Sequence, residues 1–339
     1  MPPHNMFVSV SADEMLSGFK KILLKHGFTE AKAFQCAEIF TSSSVDGVYT
    51  HGVNRFAKFV EYVEKGYVSP DAEPFLKNGF GAIEQWDGNL GPGPLNAKFA
   101  TGRAMQLAGE SGIGCVALSN TNHWMRGGTY GWQAAEKGFV FIGFTNTIAN
   151  MPAWGGINKK LGNNPLVIAI PYHREAIVLD MAMSQYSFGA MEMAKMKNET
   201  LEVNGGFDKL GKLTKDPAAV IESERPLAIG FWKGAGLALL LDILAAILSA
   251  GLSTQEISSK EIEYSLSQVF IAIDLSKLGN HSAIAATIEN ILNDYHRSVP
   301  ADDKKQIIYP GQRVLEIRKQ NLQHGIPVLK EVWDEIIEL

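Results

Sequence analysis

The middle of the chain restricts the possible folds most. Four short runs rich in β-branched and aromatic residues, "CVALS", "FVFIGF", "LVIAI" and "AIVLD", alternate with stretches of helical spacing at 95–110 and 129–137. A chain whose apolar period switches repeatedly between about two and about 3.6 residues has to stack helices on a sheet, so the middle, from "GAIEQWDG" onward, reads as an α/β lobe.

The flanks read differently. Ser11 and Glu14 make a capping box, apolar residues recur at helical spacing through Ile22 and Leu23, and Gly27 supplies a stop. Thr29 can cap a second helix running to about Val45. A third helix, amphipathic through Phe56, Phe59, Val60 and Val63, starts close to His51 and ends at Gly66. Past the α/β middle, helical patterns return at 235–249, 281–296, 312–323 and 328–338, with a strand "QVFIAID" between the first two. The expected division is a helical lobe over 1–75, completed by 280–339, and an α/β lobe over 76–279. "NGGFDKLGKLTKDPAAV" reads as a long surface connection of the kind that can cover an active-site cleft.

Composition narrows the class of partner. With 339 residues, 46% of them hydrophobic, the chain can bury a large core and split into two lobes. Its net charge is -5 and its 31 basic residues are scattered, so nothing could track a phosphate backbone or coat an anionic membrane. Nucleic acid is therefore not an expected partner. Cys36 and Cys115 are too few for a disulfide framework, lack zinc-site spacing, and suit a reducing cytoplasm. "MPPHNMFVSV" has no signal core, and the greasiest run, "GLALLLDILAAIL", is short and broken by Asp242, so neither export nor a membrane span is expected.

Four segments could carry chemistry. In "YTHGVNRF", residues 49–56, His51 and Arg55 share a face if both lie in the third helix. An arginine fork suits a carboxylate and an imidazole moves protons at neutral pH, a pair that matches a small oxo or hydroxy acid; a polar helix end would look the same. "NTNHWMRGGTYGWQ", residues 120–133, places Asn120, Asn122, His123 and Arg126 on a strand-to-helix loop, where α/β folds build ligand sites, although such residues also satisfy turns. "AIVLDMAMS" reaches Asp180, an acid costly in a core unless paired with an imidazole, His51 or His123, or used as a cap. "FWKGAGLALLLD" puts Lys233 and two glycines before an apolar helix, which suits either a phosphate or tight packing of the helix start. It fails as a dinucleotide fingerprint because Leu239 stands where a third small residue belongs, so a nicotinamide-binding fold here would not be Rossmann.

Taken together and in order, these stretches resemble the type 2 malate/L-lactate dehydrogenase family, a non-Rossmann group of nicotinamide-dependent 2-oxoacid reductases. "YTHGVNRF", "GAIEQWD", "NHWMRGGTYGWQAAEKG", "NPLVIAIP", "LDMAMS", "GGFD" with "LTKDP", "WKGAGLALLLD" and "YPGQR" each stand where the family keeps a motif. The resemblance implies an α/β fold with a mixed-sheet nucleotide-binding lobe and a mainly helical lobe. It also implies NADH-dependent reduction of a 2-oxo sugar acid, 2,3-diketo-L-gulonate, with His51 as proton donor.

The family's cofactor segments fall on Ala176, Ile177, Val178, Leu179, Asp180, Met181 and Ala182, on Trp232 and Lys233, and on Gly311, Gln312 and Arg313. Arg55 would hold the substrate carboxylate, Asn120 and His123 would bind substrate oxygens, and Asp180 would orient an imidazole. A homodimer is likewise implied. Two departures are Asn163, where the family usually has threonine, and Gln312 with Arg313, where an acid is common. Because an extra arginine can accommodate a 2′-phosphate, NAD stands first and NADP second. The competing readings are a reductase of another 2-oxoacid, a metal-dependent lyase or oxygenase built on His51, His123 and Asp180, and a noncatalytic sugar-acid sensor.

Overall fold

Strand β1 (Phe7–Val10) leads into α1 (Ala12–Lys25), α2 (Glu30–Val45) and α3 (Val53–Glu64). The computed structural model describes residues 6–173, 175–302 and 306–339; residues 1–5, part of the stretch read above for a targeting signal, lie outside that set. Half of the expected capping box forms, since Ser11 Oγ accepts the Glu14 N–H at 3.2 Å. The reciprocal bond is absent among the described residues.

The third helix starts later than the spacing suggested. Tyr49–His51 form a 3₁₀ turn and Gly52, at φ -114° and ψ -121°, breaks the path before α3 begins. Only glycine fits there: a Cβ at 52 would overlap Ser44 Oγ, which accepts the Val53 N–H at 2.8 Å. His51 therefore lies outside α3.

Next come β2 (Phe75–Phe80), β3 (Ile83–Asp87), α4 (Gly93–Ser111), β4 (Ile113–Thr121), α5 (Gly128–Ala135), β5 (Phe139–Thr145), the short pair β6 (Met151–Pro152) and β7 (Lys159–Leu161), β8 (Leu166–Tyr172) and β9 (Glu175–Met181). Helix α6 (Phe188–Met196) is followed by the hairpin β10 (Gly206–Phe207) and β11 (Leu213–Thr214), then by α7 (Pro217–Ser223), α8 (Trp232–Ser249), α9 (Thr254–Ser258) and β12 (Leu266–Asp274). The chain ends with α10 (His281–His296), α11 (Gln312–His324), β13 (Ile326–Leu329) and α12 (Lys330–Glu338).

Seven strands form one sheet in the order β2-β3-β4-β12-β5-β8-β9. Only β3 and β4 run parallel; every other neighbouring pair in that sheet is antiparallel. A doubly wound nucleotide fold is mostly parallel, so this mixed sheet is the non-Rossmann arrangement expected above. Side chains alternate along the strands, and each face takes a helical cover. Val116, Leu118, Phe141, Val167 and Phe270 pack under α4 and α5, while Ala117, Phe144 and Val269 pack under α8. Full burial of one such Phe or Val contributes about 1.5–3 kcal/mol.

A separate core joins the two ends of the chain. Phe19 stacks on Phe56 with centroids 4.0 Å apart, Phe40 meets Phe56 edge-on, and Ile326, Val328, Trp333 and Ile336 close the cluster. Strand β1 pairs antiparallel with β13, Val10 lying opposite Ile326. Residues 328–329, read as the start of a helix, belong to that strand.

Two further readings change. Residues 204–220 are a hairpin and a helix packed on α6 around Met191, Leu201 and Val220, because Asp208 Oδ1 gathers the Leu210 and Lys212 N–H groups and Asp216 caps α7. Helix α8 is longer than the apolar run implied. Among the described residues it is the one helix that is long and apolar enough, by length and composition, to cross a membrane. In this fold its Ala235, Ala238, Leu241 and Ala245 are buried against the sheet, and Asp242 accepts bonds from Asn146 Nδ2 (2.9 Å) and the Thr254 N–H (2.7 Å).

Candidate active site

The junction between α2 and α3 places His51 and Arg55 on one wall of a cleft of about 790 Å³, a volume suited to a small ligand. The two meet through the 3₁₀ turn and the first turn of α3, not through one helical face. Thr50 Oγ1 lies 3.1 Å from His51 Nδ1. The half-buried Arg55 donates its backbone N–H to the Gly52 carbonyl, while its guanidinium makes no hydrogen bond or ion pair among the described residues.

The loop after β4 brings His123 to the same cleft, its ring stacked on that of His51 with centroids 5.6 Å apart and planes at 20°. His123 Nδ1 accepts the Met125 N–H at 3.0 Å, so the neutral ring carries its proton on Nε2 and is a donor there. Burial pushes His123 well below the ordinary histidine range, and Arg55 and His51 push the same way. Burial also lowers His51; Asp180 opposes that, while Arg55 and Arg126 add to it. The free protein therefore favours two neutral imidazoles beside an unpaired cation. A carboxylate arriving at Arg55 would offset one of the charges that hold His51 down.

Asp180 does not sit in a core. Strand β9 is the sheet's edge, Asp180 is exposed, and its Oδ2 accepts the Gly128 N–H at 2.7 Å at the start of α5. It hydrogen-bonds neither imidazole among the described residues. Its charge favours the protonated form of His51 against burial.

Asn120 is not brought to the cleft. Its backbone is left-handed at φ 52°, its Nδ2 donates to Asp87 Oδ1 at 2.9 Å, and its Oδ1 accepts the Ser265 hydroxyl at 2.8 Å. With both ends of the amide engaged, the residue ties β4 to β3 and to the turn just before β12. Asn122 Nδ2 is spent on the Tyr67, Leu90 and Gly91 carbonyls. Arg126 turns away to Asp46, which Arg318 also grips, Nε at 2.6 Å and Nη2 at 2.9 Å.

The segments expected to hold the cofactor flank strand β9. The Val178 N–H donates to the Pro310 carbonyl at 3.0 Å, and Gly311, at φ 94°, passes so close that a Cβ would lie 3.1 Å from the Val178 nitrogen. Gln312 and Arg313 then open α11. Beyond the strand's other end the Met183 carbonyl accepts the Ile229 N–H at 2.8 Å, which brings in the start of α8. There Trp232 and Lys233 are exposed, and no side chain caps the helix.

An apolar ring and a basic side chain beside uncapped amides fit a dinucleotide with aromatic and phosphate parts. Ala176 and Val178 are buried in the sheet core, so these two offer backbone only. Of the two α8 glycines, Gly234 packs on Ile229 and Gly236 borders open space.

Among the described residues no three His, Cys, Asp or Glu side chains gather closely enough to hold a metal ion. The lyase or oxygenase reading lacks its ligand cluster on His51, His123 and Asp180. Residue-type reasoning passed over Asn150, Glu263 and Tyr67, which also line the cleft. They arrive from separate loops, and no local spacing marks them.

The chain is similar to known proteins over nearly its whole length. A family profile described as malate/L-lactate dehydrogenase matches residues 10–337. The chain is 44% identical over 333 residues to a 2,3-diketo-L-gulonate reductase of Pasteurella multocida, covering 98% of this chain and 100% of that protein. It is 42% identical over 330 residues to the enzyme of the same name from Salmonella paratyphi C, covering 97% and 99%. Its fold superposes on the crystal structure of malate dehydrogenase from Entamoeba histolytica with a TM-score of 0.91 at 24% identity, covering 98% and 97% of the two chains. On a profile that spans nearly its whole length, the chain belongs to the malate/L-lactate dehydrogenase family.

Proposed function

We propose that this oxidoreductase reduces the 2-oxo group of a sugar acid, 2,3-diketo-L-gulonate to 3-keto-L-gulonate, with NADH ahead of NADPH. The observation that carries the reading is Arg55, a cation without a partner among the described residues, in one cleft with two stacked imidazoles. The names of the relatives at 42–44% identity supply the substrate.

The nicotinamide, when bound, supplies the hydride for C2. Backbone of Ala176–Ala182, the start of α8 with Lys233, and Gly311–Arg313 would hold it. Arg55 binds the substrate carboxylate as a fork. His123 donates from Nε2 to the carbonyl oxygen, and His51 delivers the proton that the oxygen needs as it becomes an alkoxide. Asp180 favours the protonated ring of His51, and Thr50 fixes its orientation through Nδ1.

The same proposal keeps the lobe division 1–75 with 280–339 and 76–279. It takes a homodimer as the working unit, a reading supported by the apolar face of α8, where Leu240, Ile243 and Ile247 are exposed. Free Cys36 and Cys115 support a cytoplasmic setting.

The test is loss of the reduced nicotinamide absorbance with 2,3-diketo-L-gulonate, pyruvate and oxaloacetate, each with NADH and NADPH. The expected outcome is fast NADH oxidation on the sugar acid. Turnover of oxaloacetate or pyruvate alone would overturn the substrate. No turnover with any oxoacid would overturn the reductase reading in favour of a sensor.

A further inference from the structure

The cleft holds a carboxyl group that the reduction does not use. Glu263 lies on the connection between α9 and β12 and shares the cleft with Arg55, His51 and His123. Its Oε2 accepts the Ile148 N–H at 3.2 Å, and the other oxygen has no hydrogen bond among the described residues. Glu263 makes no ion pair with Arg55, although the two charges act on each other. Burial raises its pKa, while Arg55 and the Ile148 N–H pull toward the ionised form.

The connection is held firmly. Tyr264 stacks on Tyr67 at 5.0 Å, Lys260 sits over the Tyr264 ring at 4.2 Å, and the Ser265 hydroxyl donates to Asn120 at 2.8 Å. Glu261 and Ser265, on either side, are both left-handed, at φ 61° and 63°. Two lysines at the cleft, Lys58 and Lys65, are both taken by Glu61, at 2.7 and 2.5 Å. Among the described residues the cleft thus offers one unpaired cation, Arg55, and, besides the exposed Glu192 and Glu261 at its surface, one part-buried carboxyl with an unused acceptor, Glu263.

We infer that Glu263 selects the tail of the substrate, accepting hydrogen bonds from the hydroxyl groups of a polyol and disfavouring a second carboxylate. The inference rests on the sugar-acid reading above. A substrate anchored at Arg55 by its C1 carboxylate, with C2 beside the imidazoles, directs its remaining carbons into the rest of the cleft. A hydroxyl-bearing tail satisfies the open acceptor of Glu263. A terminal carboxylate, as in oxaloacetate, would meet a like charge with no free cation to offset it.

The test uses the enzyme loaded with NADH and compares binding of L-gulonate, which keeps the carboxylate and polyol tail, with binding of L-malate, by calorimetry. Glu263→Gln is isosteric and retains an acceptor for the Ile148 N–H; Glu263→Asp is the second variant should the first not fold. The wild type should prefer L-gulonate by about tenfold or more, and Glu263→Gln should reduce that preference by about tenfold, the scale of a lost charge-assisted hydrogen bond. Equal changes for both ligands, or no preference in the wild type, would overturn the inference. Because binding is read without turnover, a wild type that bound L-gulonate but reduced no sugar acid would defeat the reductase reading and leave the role of Glu263 decided by the ratio.

Discussion

The segments around the α2–α3 junction and the β4–α5 loop both carry polar side chains, and they use them in opposite ways. The junction leaves Arg55 unpaired among the described residues and sets His51 into a cleft. The end of β4 and the loop commit their donors to the fold, Asn120 Nδ2 to Asp87, Asn122 Nδ2 to three carbonyls and Arg126 to Asp46, while the buried Asn122 Oδ1 has no partner among the described residues. Only His123 is presented to the cleft, and even it gives its Nδ1 to the backbone. A dense run of polar residues thus signals hydrogen-bonding capacity, and function depends on the part that the fold leaves unspent.

The two regions are joined at Asp46, which ends α2 and receives Arg126 from the loop and Arg318 from α11. Breaking that joint should have the largest effect. Asp46→Asn leaves two arginines short of an anion, and a loss of about 3–5 kcal/mol is expected from chemical denaturation, as for a broken buried pair. A loss under about 1 kcal/mol would mean that the regions are held by packing alone.

His51→Ala should lower turnover roughly a hundredfold or more while cofactor affinity stays near that of the wild type, the scale of general acid catalysis. An unchanged turnover would remove His51 from its role.

Arg55→Ala should lower kcat/KM by roughly tenfold to a hundredfold, chiefly through KM, since a charge-assisted bond made equally in ground and transition states is lost. It should also shift the pH profile. Reduction needs protonated His51 in the free enzyme, so kcat/KM falls as pH rises through the His51 pKa, which lies below the ordinary 6.5. Arg55 is one of the charges lowering that pKa, so the falling limb should move to higher pH in the variant. A limb that stayed in place would separate the two residues electrostatically.

Asn120→Ala sharpens the contrast from the other side. It should cost about 1–2 kcal/mol of stability through its two lost bonds, yet change kcat/KM by less than about threefold. A selective rise in KM would return Asn120 to the substrate.

Much of the scaffold was legible from periodicity. Five strands of the sheet, β4, β5, β8, β9 and β12, coincide with the β-rich runs, and the long helices begin or end within a few residues of their expected limits. The pairs β6 with β7 and β10 with β11 are two or three residues long, too short for any period to register. The start of α3 at Val53 lies close to the expected one, yet His51 falls outside the helix because a close approach of Ser44 to Gly52, eight positions away, breaks the path between them. In the site, His51, Arg55 and His123 could be picked by residue type. Glu263 could not, because its neighbours in space come from Arg55 and Ile148, far off along the chain.

Local spacing and composition by themselves determined that helices flank a strand-rich middle, and the order of the motifs pointed to the family. Those features depend on neighbours within a few residues, where periodicity and capping act. Tertiary structure alone decided which polar groups remain free. Asn120 is satisfied by Ser265, 145 positions away, and Asp46 by Arg318, 272 positions away. Hydrogen bonds and ion pairs are settled by distance in space, so the division between groups that hold the fold and groups that wait for a substrate appears only once the chain has folded.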